Sequence, residues 1–266
     1  MRLNQYIAAN TNYSRRAADG LIKEGKVRIG NSVVTELGTQ YKEGSPVYIN
    51  GRKITQKDGF TAIVYHKPKG QIVSHSDERG REVIFDSLPN GFKHFCFVGR
   101  LDYASSGLLI LTDSPKVAHA LEKSDLEREY YVKVKGQVGE AVFEAMRNGL
   151  KAADATKGAH AKTKIKSMEF APFLAFKVVS QSGPYTRLRV IIKEGQNREL
   201  RRFFGYFDLP VMDLKRVAFG SLSLDTLKEG KWRYFSASEY SALKDFLNPK
   251  KDTKKTQTKD KKRKKY

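Results

Sequence analysis

VGRLDYASSGLLILTD, residues 98–113, sets a charged turn between two apolar runs, one ending at Val98 and the other spanning Leu108 to Leu111. Apolar runs this short, bounded by glycine and small polar residues, read as buried strands. The stretch therefore reads as a strand–turn–strand unit. Asp102 stands at that turn. A carboxylate between two apolar strands must face solvent or be paired, because burying it alone is too costly. Taken alone, the stretch reads as an Asx-type turn, in which the carboxylate only caps its own backbone. Arg100 is near in sequence, but two steps along the chain do not bring its guanidinium to the carboxylate.

Outward from this unit, strand-like runs occur at 61–66, 95–98, 107–111, 130–135, 173–180 and 186–192. Helical spacing predicts helices over 115–123, 139–148, 197–207 and 238–247. Strands outnumber helices and do not alternate with them strictly, so the expected class is α+β with a mixed, mainly antiparallel sheet.

The chain has 266 residues, 39% of them hydrophobic, enough for a sizeable core and more than one domain. Its single cysteine, Cys96, allows neither an intrachain disulfide nor a cysteine-rich metal cluster. The N-terminus lacks the apolar core of a signal peptide and no run reaches membrane-spanning length. A soluble, cytoplasmic protein with no membrane partner is expected.

Charge is the dominant compositional feature. Fifty Lys and Arg residues against 29 Asp and Glu give +21, a field that attracts polyanions. Residues 249–266 carry ten basic and two acidic residues, residues 1–57 carry ten and four, and the intervening segment holds the remaining +7. The tail from 249 has no apolar residue before its final tyrosine and is expected to be disordered, adding salt-sensitive attraction to phosphates or serving only solubility.

Residues 1–50 form a compact unit. Leu3, Tyr6 and Ile7 share a helical face, Ser14 stands at an N-cap before a second helix, and short strand-like runs follow between glycine and asparagine turns. Arg15, Arg16, Lys23, Lys26 and Arg28 cluster around that second helix, as a basic surface or simply a solvated face. The segments RLNQYI, SRRAADGLIKEGKVRIG and VYING resemble an S4-type RNA-binding module. Polar residues 51–59 read as a linker, and a second domain spans 60–248.

In that domain there is no P-loop, G-x-G-x-x-G or H-E-x-x-H, and the five histidines do not pair at ligand spacing. Partner candidates for Asp102 lie in EGQNRELRRFFGYF, 194–207, where Arg198, Arg201 and Arg202 fall on neighbouring parts of one helical face. Strand alternation in LEREYYVKV, 126–134, sends Tyr130 and Tyr131 to opposite faces: one into the core, the other free to stack on a base.

Taken in order, the S4-like module, KPKG at 67–70, GRLDYASSGLLILTD, EREYYVKV and EGQNRELRRFF resemble the pseudouridine synthases of the RsuA/RluB type, across residues 1–248. The chain departs from the usual pattern at TDSP after the second strand, at His66 and at Gln196. The resemblance implies that Asp102 is the catalytic aspartate, Tyr130 the tyrosine against the base, and Arg201 the basic residue pairing the aspartate. RNA contacts are expected from Arg15, Arg16, Lys23, Lys26, Arg28, Lys67, Lys69, Arg100, Arg198 and Arg202. The implied partner is ribosomal RNA, of the large subunit by the EREYYVKVKGQV wording, and a monomer is expected. Isomerising uridine breaks and re-forms one bond to the sugar without net redox change, so no cofactor or metal is expected. The alternatives are a synthase acting on small-subunit RNA, or a non-catalytic RNA-binding factor in ribosome assembly.

Overall fold

A computed structural model describes residues 1–248; the expectation for the Lys-rich tail lies outside the described residues. The N-terminal module consists of α1 (Leu3–Asn10), α2 (Arg15–Lys23), β1 (Val27–Ile29), β2 (Ser32–Val34), β3 (Val47–Ile49) and β4 (Arg52–Lys53), with strand order β2-β1-β3-β4. Ser14 caps α2 as its spacing predicts, its hydroxyl accepting from the Ala17 amide at 3.1 Å. Leu3, Ile7, Ala18, Ile22, Val27 and Val47 form the module's core. Ile54 packs into the same core, so the module runs a few residues past residue 50 and the linker is correspondingly shorter. Asp113 fixes the linker's far end, accepting from the Thr61 amide at 2.8 Å and pairing with Lys57.

The larger unit contains β5 (Ala62–Lys67), β6 (Cys96–Phe97), β7 (Ser106–Thr112), α3 (Pro115–Glu122), β8 (Arg128–Lys135), α4 (Glu140–Asn148), β9 (Leu150–Ala152), β10 (Met168–Phe170), β11 (Ala175–Ser182), β12 (Tyr185–Ile192), α5 (Glu199–Tyr206), β13 (Val211–Phe219), β14 (Leu222–Ser223), β15 (Trp232–Tyr234) and α6 (Ala237–Leu247). A nine-stranded sheet runs β11-β12-β8-β13-β7-β5-β15, with β14 beside β13 and β6 beside β7. All its pairings are antiparallel except β13 with β7, which is parallel and joins only Lys215 and Arg216 to Ser106 and Gly107. This short seam divides the sheet into two halves. On one half, α4 and α5 cover Tyr130, Val132, Val134, Leu188 and Val190. On the other, α3 and α6 pack over Leu108 and Ile110, while Ile84, Phe85 and Phe92 cover Leu109 and Leu111 on the opposite face.

The strand β13 is not legible as a strand from its residues. Asp213, Lys215 and Arg216 interrupt its apolar pattern, and Arg216 is buried. Its position at the seam explains this: Arg216 points where the two half-sheets part and the cavity opens, while Asp213 and Lys215 alternate to the other face of the sheet. Gly107 at the seam has φ +117, and an added Cβ would overlap the Arg216 carbonyl, so only glycine lets the strands approach this closely.

Candidate active site

The turn 99–105 precedes β7 at this seam and opens onto a cavity of about 590 Å³, within the usual range for a small-molecule or nucleotide pocket. Asp102, Tyr130, Leu214, Arg216 and Arg198 are among the residues lining it. Strand alternation in β8 buries Tyr130 on the cavity side and leaves Tyr131 46% exposed on the other.

Asp102 is paired rather than turn-capping. Its Oδ2 accepts from Arg201 Nε at 3.1 Å and lies 3.3 Å from Arg198 Nη1. At an effective dielectric of 20, each contact at this range is worth on the order of 5 kcal/mol before desolvation. Among the described residues, no hydrogen bond engages Oδ1. One carboxylate oxygen is held, and the other is available to a ligand.

Arg201 does more than neutralise the carboxylate. Only 8% exposed, it donates to Val211 O at 3.1 Å, Ala104 O at 3.1 Å and Ser105 Oγ at 2.9 Å. It thereby ties the turn carrying Asp102 to the start of β13. Burial pulls its guanidinium below the usual value, and the Asp102 charge opposes that shift. Arg198, at the N-cap of α5 in a left-handed conformation, also donates to Gly158 O at 2.8 Å. The helix begins at Glu199, not at 197, which turns Arg198 back toward the turn.

Two expected RNA contacts are corrected. Lys67 is completely buried, and its ammonium donates to Pro68 O at 2.8 Å, Asp102 O at 3.2 Å and Ser105 O at 2.9 Å. It braces the same turn from below. Burial lowers it to about 8 despite the nearby Asp102 charge. Arg202 is likewise buried, donating to Ala155 O, Ile165 O, Thr163 Oγ1 and Asn197 Oδ1. One step along a helix is a 100° rotation, so Arg201 and Arg202 diverge: the first meets the turn that carries Asp102, the second the body of the domain. Arg198 departs from expectation in a milder way, since its guanidinium pairs with Asp102.

The remaining basic residues keep some access to solvent. Arg100 stands exposed at the cavity rim, and Lys69 is exposed and paired with Asp213 at 2.8 Å. On the module, Arg15, Arg16, Lys23 and Lys26 are exposed, and Arg28 lies over the Tyr48 ring. Sequence reasoning missed the bracing role of Lys67 and the cavity position of Arg216, whose Nε donates to Leu108 O at 2.8 Å. It also missed Glu199, 5% exposed at the cavity wall, where burial raises the carboxyl to about 7 against the opposing Gln196 amide. Among the described residues, no three His, Cys, Asp or Glu side chains gather where they could hold a metal ion.

Residues 61–206 match the family model described as RNA pseudouridylate synthase, and residues 1–47 match that of the S4 domain. The chain belongs to the RNA pseudouridylate synthase family. It is 47% identical to an uncharacterized RNA pseudouridine synthase of Helicobacter pylori (strain ATCC 700392 / 26695), over 93% of this chain and 95% of that one. It is 33% identical to the ribosomal large subunit pseudouridine synthase B of Bacillus subtilis (strain 168), over 91% of this chain and 95% of that one. A solved structure titled as a pseudouridylate synthase superposes with a TM-score of 0.61 at 23% identity, covering 91% of this chain and 99% of that one, a likeness of fold. The expectation of an S4 module joined to a mixed-sheet RNA pseudouridine synthase is borne out. No helix among the described residues is long and apolar enough to cross a membrane.

Proposed function

We propose that this synthase converts one uridine of large-subunit ribosomal RNA to pseudouridine, with Asp102 as the catalytic carboxylate. The observation that carries the reading is the Asp102 carboxylate held on one oxygen by Arg198 and Arg201, at a cavity that Tyr130 also lines. The relatives named ribosomal large subunit pseudouridine synthase B in Bacillus subtilis and Vibrio vulnificus support the choice of RNA.

The reaction breaks the C1′–N1 bond, turns the uracil and forms the C1′–C5 bond; C5 gives up its proton and N1 ends protonated. Atoms and electrons balance within the nucleotide. Asp102 acts at the sugar, either as nucleophile at C1′ or as base at C2′, and both routes require a deprotonated, oriented carboxylate. The two guanidinium groups orient the carboxylate, and the Arg201 bonds to Ala104 O and Ser105 Oγ hold the turn in register. The target base must leave its stack, at a cost of a few kcal/mol, and the Tyr130 ring offers a face against which it rests. Arg100 at the rim and the exposed basic residues of the N-terminal module hold the surrounding RNA.

The test replaces Asp102 by Asn, which keeps the shape and removes the charge. Pseudouridines are mapped across ribosomal RNA from cells with and without the gene, and from cells carrying the Asp102→Asn variant. One large-subunit site should vanish with the gene and stay absent with the variant, while the purified variant still binds RNA. Turnover by Asp102→Asn would refute the assignment, and a missing site in the small subunit would overturn the choice of RNA.

A further inference from the structure

The half-sheet of β11, β12, β8 and β13 has one face under α4 and α5 and one face open. Register defines the open face: Tyr131 lies opposite Arg189 and Lys215, Lys133 opposite Arg187 and Asp213, Lys135 opposite Tyr185, and Arg189 opposite Lys177. Six cations, Lys133, Lys135, Lys177, Arg187, Arg189 and Lys215, therefore stand together. The acids among them are Glu129 and Asp213, already paired with Arg189 and Lys69. Among the described residues, Lys177, Arg187 and Lys215 have no ion-pair partner. Tyr131 projects between Arg189 and Lys215, and the Lys133 ammonium sits 4.0 Å from the Tyr185 ring centroid.

A surface that serves solubility mixes both signs of charge. Lysines that guard a sheet edge belong on the edge strand, yet only Lys177 lies on β11, and the other five cations occupy inner strands. An exposed tyrosine amid such cations adds nothing to solubility, but it supplies the stacking face that single-stranded nucleic acid uses between phosphate contacts. The Lys-rich segment 249–266 carries the same sign of charge as this face.

We propose that this open sheet face is a second RNA-binding surface, on the side of the sheet opposite the cavity, holding the phosphate backbone of RNA that flanks the target uridine while an unpaired base stacks on Tyr131. The inference rests on the RNA substrate described above, but not on the role of Asp102. It divides the work into three parts: the N-terminal module, the cavity and this face each grip a different stretch of one RNA.

The experiment uses the full chain and unmodified large-subunit ribosomal RNA transcribed in vitro, with a short stem-loop around the target as a second probe. Dissociation constants are measured against salt for wild type, for Lys177→Gln/Arg187→Gln/Lys215→Gln, and for a control triple on α3, at its C-cap and on α6, Lys116→Gln/Lys123→Gln/Lys244→Gln. Losing three phosphate contacts should weaken binding of the long RNA at least tenfold near 0.15 M salt and flatten the log–log salt slope by about 2. The short stem-loop should lose much less, since it does not reach the face. Tyr131→Ser should cost roughly fivefold with the slope unchanged, because stacking is not ionic. Should the triple variant unfold, Lys177→Gln/Arg187→Gln, at two exposed positions, carries the same measurement. Wild-type affinity and slope in the face variants overturn the proposal, as does an equal loss in the control triple. Failure of the wild type to bind RNA of either length would instead overturn the RNA-substrate reading on which it rests.

Discussion

Replacing Arg201 by Met should cost both stability and turnover, whereas replacing Arg198 by Met should cost mainly turnover. The two side chains meet the same carboxylate oxygen but sit in different surroundings. Arg201 is 8% exposed and makes four hydrogen bonds, three of them to the turn that carries Asp102. Removing one member of a buried pair costs about 3–5 kcal/mol. Asp102 keeps Arg198 and is partly open to solvent, so the lower end, about 3 kcal/mol, applies. For a chain of this size that lowers Tm by roughly 6–12 °C. If a similar amount of carboxylate positioning is lost in the transition state, kcat falls about 100-fold. Arg198 has one ion pair and one bond to Gly158 O on a more open side chain, worth up to about 1 kcal/mol of stability. Its loss should move Tm by less than about 4 °C. Thermal melts beside single-turnover assays separate the two. A wild-type Tm for Arg201→Met, or a larger drop for Arg198→Met, would refute the view that Arg201 braces the turn.

Two further outcomes follow from buried groups. Glu199, raised to about 7 from an ordinary value of 4.5, binds its proton more tightly folded than unfolded, so its contribution is fully present below about pH 4.5 and lost as pH rises through 7. The shift corresponds to about 3 kcal/mol at most; Tm should fall between pH 5 and 8, and Glu199→Gln should flatten that fall, an unchanged slope counting against it. Gly107→Ala should destabilise by about 2–4 kcal/mol, because the new Cβ meets the Arg216 backbone rather than a side chain that can move. Denaturant unfolding tests this, and a neutral Gly107→Ala would mean the seam between β7 and β13 is looser than its geometry implies.

Much of this molecule can be read along the chain. The apolar runs and turn residues mark most strands and all the main helices to within a few positions, since periodicity is a local property. Alternation through Tyr130 and Tyr131 already sends one ring inward. The turn around Asp102 is visible because its small residues and its charge interrupt two apolar runs. What cannot be read locally is the fate of each charge. Lys67, Arg202 and Arg216 look like surface cations, yet they are buried and each donates to a backbone carbonyl contributed from a distant segment.

By itself, the sequence determined most of the elements, the module at the N-terminus and a carboxylate at a turn that had either to face solvent or to be paired. Only the tertiary structure decided which cation. It brought Arg198 and Arg201 from α5 to Asp102, turned Arg202 away, and sank Lys67 beneath the turn. The reason is physical: apolar periodicity is set by neighbours a few residues apart, whereas a buried charge is stable only where folding gathers its partners, and those lie about a hundred residues away along the chain in the Asp102–Arg201 pair.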